Sequence, residues 1–283
     1  MVEIQFQEIT DAKNVYERLL EKQQALTIDY ITVSYDSNLV FVSIPQREEQ
    51  IIHEFIVPVL SEFIITTKED YWIKSLIHDV FYFSDIEEQN QILQIAQAMI
   101  DGGYQDIPDI NQMEHREKLI TGALIDLLRE TGSFSFESFL KFRLRNYTEQ
   151  LQKYVELAID EYKLEQEYQN FIQNLRDFVV NRTPKIGILH ILHEDQFHFF
   201  NEAFYEMKRD DLMGYIDRKL VITQPMYIDS TVIAPLVSIA PESIFIYTDK
   251  MDHGMVQTIQ NIFLERVQIY ARTSFDQQKV KKV

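Results

Sequence analysis

The stretch that decides the fold is "YITVSYDSNLVFVSI", residues 30–44, which places β-structure ahead of a largely helical chain. Two runs of β-branched and aromatic residues flank the polar triplet "DSN", and this arrangement predicts a β-hairpin. Upstream, "VEIQFQ" at 2–7 alternates like a strand, and Thr10 can cap an amphipathic helix that runs to about Leu26. The N-terminal part is therefore predicted to be β-α-β-β.

Helical sequence follows the hairpin. From about residue 47 the apolar spacing lengthens to the helical period, with Pro58 at a helix start or a kink. The segment "DGGYQDIPDINQ", 101–112, combines two glycines, a proline and several turn formers. Such a cluster marks a loop, so this segment is the best internal breakpoint of the chain.

A run of about 45 residues without glycine or proline comes after Gly132. Apolar residues keep a heptad step in its first half and again in its second half. Between the two halves the same frame falls on Glu161 and Glu165. The pattern therefore predicts two helices, or a kink near 161–166, rather than an extended coiled coil.

Strand-like sequence returns after Pro184. "KIGILHILH" and "FHFF" are typical of paired strands, "ESIFIYT" and "RVQIYA" of further strands, and "HGMVQTIQNIFL" of a helix between them. We predict an α+β fold, predominantly helical, with short N-terminal and C-terminal β elements. That these elements pair in one sheet around a helical middle is a hypothesis that the sequence leaves open.

The predicted organisation has four parts. They are an N-terminal part with the β-α-β-β and helices (1–101), a helical middle (112–183), a C-terminal α+β part (184–275) and a flexible tail (276–283). The first three can also form one compact unit, in which the segment 101–112 joins subdomains rather than separating independent domains.

Composition excludes several classes of function. The 45 acidic against 27 basic residues give a net charge of -18, which opposes binding to nucleic acid or an anionic membrane. The absence of cysteine excludes disulfides, thiolate nucleophiles and zinc ribbons, and makes the cytoplasm the expected location. The seven glycines form no dinucleotide-binding, phosphate-binding or nucleophile-elbow motif.

The densest group of chemically active side chains lies in "LHILHEDQFHFF", which contains His190, His193, Glu194 and His198. It nearly matches the HExxH zinc motif, but the second histidine comes one position late. On a helix that places the two imidazoles about 140° apart rather than on one face. On a strand, His190 and His193 point to opposite faces. The preferred interpretation is a structural hairpin at a sheet edge, which needs no cofactor. The alternative is a divalent metal bound by these four residues.

A second candidate site follows a predicted strand. Asp249, Asp252 and His253 come directly after "ESIFIYT" and before a helix, a position at which α/β-type proteins bind ligands. The alternative is local, because Thr248 and Asp249 are also typical helix N-caps.

Four segments carry a family resemblance: "FRLRNYTEQLQKYVELAIDEY", "EYQNFIQNLRDFV", "SIAPESIFIYTD" and "TIQNIFLERV". In combination they resemble the YtxC-like family, which is linked to sporulation in endospore-forming bacteria. The resemblance extends over nearly the whole chain. It implies a biological process but no reaction, cofactor or catalytic residue, so no site residue follows from it.

These observations together predict a non-enzymatic cytosolic interaction or regulatory protein associated with sporulation. Aromatic repeats such as "FHFFNEAFY" are more often part of a core, but an excess of them would leave apolar surface for a protein partner. Nucleic acid and membrane are not expected as partners. The alternative function is a metal-dependent hydrolase or a metal-binding protein that uses the cluster of His190, His193 and His198. The oligomeric state stays open.

Overall fold

The computed structural model describes residues 1–44, 49–217 and 228–282, and these form two compact units, 1–163 and 164–283. The boundary between the units does not coincide with the predicted parts. The loop at 101–112 lies inside the first unit, and the boundary falls within the long helix Arg145–Val180.

A four-stranded sheet begins the first unit. Its strands, in the spatial order β2-β3-β1-β4, are β1 (Val2–Gln5), β2 (Thr32–Asp36), β3 (Leu39–Ser43) and β4 (Ser133–Ser135). With α1 (Ile9–Leu26) between β1 and β2, the predicted β-α-β-β is confirmed. β3 pairs antiparallel with β1 and β2, whereas β4 pairs parallel with β1.

Helices make up the rest of this unit. They are α2 (Glu49–Ile51), α3 (Val57–Phe63), α4 (Glu69–Ser75), α5 (Ile86–Ile100), α6 (Arg116–Glu130), α7 (Phe136–Phe142) and the first part of α8 (Arg145–Val180). Three π-helical segments interrupt the run from 49 to 80, namely Ile52–Ile56, Ile64–Lys68 and Leu76–Val80. A π-helical insertion shifts the side chains that follow it around the helix axis.

An aromatic cluster holds the core of the first unit together. The ring of Phe136 lies 4.9 Å from that of Phe6 and 5.7 Å from that of Phe63, measured between centroids. All three side chains are almost fully buried. Because they come from α7, the end of β1 and α3, their burial joins the sheet to two helices.

The long helix α8 is continuous over 36 residues, so the prediction of two separate helices near 161–166 was wrong. Glu161 and Glu165 interrupt its apolar stripe but not its backbone, because glutamate, lysine and glutamine are good helix formers on an exposed surface. The first half of α8 contributes Leu151 to the core of the first unit, and the second half contributes Leu175 to the core of the second.

The second unit has its own four-stranded sheet, in the order β6-β5-β7-β8. The strands are β5 (Ile188–His193), β6 (Phe197–Asn201), β7 (Ser243–Tyr247) and β8 (Val267–Tyr270). β5, β7 and β8 are parallel, and β6 pairs antiparallel with β5 as the predicted hairpin. The described helices beyond α8 are α9 (Arg209–Tyr215), α10 (Ile233–Ile239), α11 (Gly254–Phe263) and α12 (Ser274–Lys282).

The fold class is confirmed as α+β and mostly helical, but two of its details differ from expectation. The described strands form two sheets, one in each unit, so the prediction of one shared sheet was wrong. β1 is paired on both edges, by β3 and β4, and has no edge left for a C-terminal strand. Residues 276–282 of the tail predicted to be flexible belong to α12, and Phe275, which precedes that tail, is buried. Within the described residues, no helix has both the length and the apolar character that a bilayer crossing requires.

Candidate functional site

Three parallel strands of the second unit end at one edge of their sheet. β5 ends in His193 and is followed by Glu194, β7 is followed by Thr248 and Asp249, and Arg272 follows β8 by two residues. In open sheets with parallel strands, this carboxyl edge is where ligands bind. The two candidate sites predicted from separate stretches of sequence therefore meet here. We call this group the carboxyl-edge cluster, and its members are His193, Glu194, Thr248, Asp249, His253 and Arg272.

His193 occupies the centre of the cluster and is 3% exposed. Its Nδ1 shares a hydrogen bond of 2.9 Å with Oγ1 of Thr248. Its ring stacks on Phe197, with 4.2 Å between centroids, and lies 4.6 Å from the ring of His253. Burial, and then the neighbouring His253 and Lys250, lower the pKa of His193, so the neutral imidazole is favoured.

The other members of the cluster make bonds that stabilise the strand ends. Oγ1 of Thr248 accepts a hydrogen bond of 3.0 Å from the backbone of Lys250, and Oδ1 of Asp249 accepts one of 3.1 Å from the backbone of Arg272. The guanidinium of Arg272 forms an ion pair with Glu194. These contacts connect the ends of β5, β7 and β8 to one another.

Two of the three residues predicted to bind a ligand near 249–253 also have structural partners. His253 is the N-cap of α11, and its Nδ1 accepts a hydrogen bond of 3.3 Å from the backbone of Met255. Asp249 joins the ends of β7 and β8, whereas Asp252 is exposed. The N-cap of α11 is thus His253 rather than Thr248 or Asp249, and ligand binding by Asp249, Asp252 and His253 stays a prediction.

His190 lies on the opposite face of the sheet from His193. The register pairs His190 with Phe200 and His193 with Phe197, and these pairs occupy different faces. Nδ1 of His190 is 3.1 Å from the hydroxyl of Tyr247, and its ring stacks on Phe204 at 4.0 Å.

Tyr247 connects this face of the sheet to the C-terminal helix. Its hydroxyl donates a hydrogen bond of 2.6 Å to Oε1 of Gln278 in α12. Burial, together with the nearby Tyr270, raises the pKa of Tyr247 to about 12, so it stays protonated at neutral pH. The phenol therefore serves as a donor within an aromatic layer.

The four residues proposed as metal ligands are dispersed. His198 is half-exposed, and its Nδ1 lies 3.0 Å from Oε1 of Glu206, while Glu194 is engaged by Arg272. Over residues 1–44, 49–217 and 228–282, no three histidine or carboxylate side chains are arranged to hold a metal ion. A structural zinc site needs four protein ligands. Metal binding by His190, His193, Glu194 and His198 stays a prediction, and the geometry offers it no common centre.

A buried polar network in the first unit was not predicted. Glu69 accepts hydrogen bonds from the hydroxyl of Tyr147 and from Nη1 of Arg116, the latter at 2.9 Å, and Nη2 of Arg116 reaches Asp101 at 2.9 Å. Burial raises the pKa of Glu69, and burial together with Glu69 also raises that of Tyr147. No local motif could have revealed the network, because its members come from four distant segments.

Comparison with known proteins agrees with the resemblance of the four segments. The model of the YtxC-like family matches residues 54–268. The chain is 45% identical over 224 residues to a Bacillus subtilis (strain 168) protein described as "Uncharacterized protein YtxC", and the alignment covers 79% of each chain. The chain belongs to the YtxC-like family. No solved structure matches it significantly.

The region matched by the YtxC-like family model includes most of the buried network around Glu69 and most of the carboxyl-edge cluster. Glu69, Arg116 and Tyr147 fall inside it, as do the cluster members from His193 to His253, while Arg272 lies beyond its end. Both the buried network and the carboxyl-edge cluster are therefore located mainly in the family region.

We expect the imidazole of His193 to titrate below its ordinary pKa of 6.5. Because the folded state then binds a proton less readily than the unfolded state, His193 contributes stability above pH 6.5 that is lost as the pH falls through the folded pKa. A Lys250→Gln variant removes one of the charges that lower this pKa, so the pKa should rise. The measurement is a pH titration of the imidazole by NMR, with Lys153→Gln as the control. An unshifted titration at 6.5 would contradict the burial of this ring.

Proposed function

We propose that this member of the YtxC-like family is a non-enzymatic regulatory protein that acts in the cytoplasm during sporulation through a protein partner. The observation that carries the proposal is the engagement of the carboxyl-edge cluster in internal bonds. A catalytic base needs to reach its substrate, but His193 is buried against Phe197 and bonded to Thr248, and Glu194 is paired with Arg272.

Exposed aromatic side chains support recognition of a partner. Tyr71, Tyr82, Phe142 and Tyr205 are each more than two-thirds exposed. Aromatic residues supply much of the energy of protein interfaces because they bury a large rigid area at low cost in conformational entropy. The net charge of -18 favours a partner with a basic surface, since complementary charge accelerates association.

The link to sporulation rests on the resemblance to the YtxC-like family. The cytoplasmic location rests on the absence of cysteine, which suits a reducing compartment. Neither depends on the geometry of the carboxyl-edge cluster, so they are tested in a cell rather than on the purified protein.

Complementation tests the proposal in a Bacillus subtilis strain that lacks its YtxC. The strain would express either this chain or a variant with His193→Asn, Glu194→Gln, Asp249→Asn and His253→Asn. These changes keep a polar side chain at each position but remove the groups that could titrate or bind metal. Heat-resistant spores are counted, and thermal unfolding of each purified protein checks the fold.

We expect both proteins to restore the spore count of the parent strain. A variant that folds normally but fails to restore spores would contradict the non-enzymatic assignment. A deletion without effect on sporulation, or failure of the unaltered chain, would contradict the sporulation link.

The second candidate is a metal-dependent hydrolase or metal-binding protein that uses His190, His193 and His198. The observation that favours a metal near His193 is the adjacency of its ring to that of His253, which is outside the predicted ligand set, because two imidazoles are half of a common zinc ligand set. It is the weaker proposal, since His190 lies on the other face of the sheet and His198 is engaged by Glu206.

A further inference from the structure

A cavity of about 700 Å³ lies along the outer edge of β6 in the second unit. Residues 196–199 form one wall, residues 206–209, 212 and 213 a second, and residues 230–232 and 235 a third. Its volume falls within the range of about 300–1,000 Å³ that is common for small-molecule sites. The carboxyl-edge cluster does not line it, so it is a separate feature of the molecule.

The inner part of the cavity is apolar. Phe199, Leu212, Val232 and Pro235 line it and are buried, and the methionine side chains of residues 207 and 213 extend the same surface. Apolar walls of this kind bind hydrocarbon or aromatic groups, because burial removes their surface from water.

Two basic side chains lie at the rim. Lys208 and Arg209 line the cavity and are exposed, and neither forms an ion pair with a carboxylate within 4.0 Å in the part of the chain that the structure describes. Asp210 and Asp211 follow them in the sequence but do not line the cavity. The acidic side chain that also lines the cavity, Glu206, is occupied by Nδ1 of His198. Two adjacent cations without such a partner are notable in a chain with 45 acidic and 27 basic residues.

We propose that this cavity binds a small amphipathic carboxylate, with the apolar body against Phe199 and Leu212 and the carboxylate at Lys208 and Arg209. Charge-assisted hydrogen bonds to a carboxylate are the strong polar contacts that such a pair of cations can make. The apolar part of the ligand contributes affinity and the charged rim contributes orientation. The inference goes beyond the proposed function and does not depend on it.

Decanoate is the probe, and binding is measured by isothermal titration calorimetry together with NMR of methionine methyl groups. The chain has eight methionines, of which Met207 and Met213 line the cavity, whereas Met99 is buried in the first unit and Met251 lies elsewhere in the second. Leucine variants of Met207 and Met213 assign their signals. Decanol has the same hydrocarbon chain without the charge and serves as the matched probe.

We expect saturable decanoate binding that shifts the signals of Met207 and Met213 and leaves that of Met99 unchanged. A Lys208→Gln and Arg209→Gln double variant should bind decanoate about tenfold more weakly, because two charge-assisted contacts are lost. Binding of decanol should be equal in both proteins.

The control is a Lys153→Gln and Lys163→Gln double variant, which removes the same charge from exposed positions of α8. It should bind decanoate as the unaltered chain does. No saturable binding, or equal loss of affinity in both double variants, would overturn the proposal. Shifts at Met99 or Met251 in place of Met207 and Met213 would overturn it as well.

Discussion

Replacing Phe136 by Ala lowers the free energy of unfolding of the first unit by about 3–5 kcal/mol, the usual cost of removing a fully buried aromatic ring. Phe136 has no exposed surface, and its ring contacts those of Phe6 and Phe63. The substitution leaves a cavity where the sheet meets α3 and α7. Because the surrounding elements are held by their own hydrogen bonds, they can close this cavity only in part.

The matched control is Phe142→Ala at the other end of the same helix. Phe142 is 69% exposed, so its removal should change the free energy of unfolding by less than about 0.5 kcal/mol. Urea denaturation followed by the fluorescence of Trp72 measures both variants. Trp72 is the single tryptophan and packs near Tyr147, so its signal reports on the first unit. Equal effects of the two substitutions would contradict the described core.

Replacing Glu69 by Ala lowers the free energy of unfolding by about 2–4 kcal/mol at neutral pH, because it leaves buried polar groups without their partner. Tyr147 loses the acceptor of its hydroxyl, and Arg116 loses its buried carboxylate and keeps only Asp101. Glu69→Gln keeps the carbonyl acceptor and should cost less. A Glu62→Ala variant, which removes an exposed carboxylate from the adjacent α3, is the control.

The pH dependence separates the effect of burial from that of the ion pair. Burial raises the pKa of Glu69 above its ordinary value of 4.5, so the folded state binds this proton more tightly than the unfolded state does. The proton-linked part of the contribution of Glu69 is therefore fully present below pH 4.5 and is lost as the pH rises through the raised pKa, whereas its bonds to Tyr147 and Arg116 underlie the cost at neutral pH. Glu69→Gln lacks this dependence.

Relative to the unaltered chain, Glu69→Gln should therefore gain stability as the pH rises from 4.5 towards neutral. Urea denaturation at a series of pH values measures the difference. A difference that moves in the opposite direction would mean that the charge of Arg116 outweighs burial at this site.

Local patterns predicted the elements of this fold better than their pairing. The hairpin at 30–44 and the strand β5 follow from side-chain alternation and turn residues, which are properties of neighbours in sequence. β4 has three residues and pairs with β1 at a separation of about 130 positions, so no local pattern could have indicated it. The division of the strands into two sheets likewise depends on contacts between distant segments, which local patterns do not indicate.

The candidate site illustrates the same distinction. His193 and Asp249 were each recognised as candidates from their own surroundings. Their proximity follows from the parallel pairing of β5 with β7, which joins segments more than fifty residues apart. Their engagement in internal bonds, and the burial of Glu69 beside Tyr147, depend on packing that spacing along the chain does not encode.

The central claim is that the histidine-rich hairpin is a structural part of the second sheet rather than a metal centre. Elemental mass spectrometry of untagged protein, purified without chelator and dialysed extensively, tests it most directly. We expect substoichiometric zinc, iron and manganese, because the Nδ1 atoms of His190, His193 and His198 have three separate partners. An equimolar metal that is lost in a folded His193→Asn variant would contradict the account and establish a metal site at the carboxyl edge.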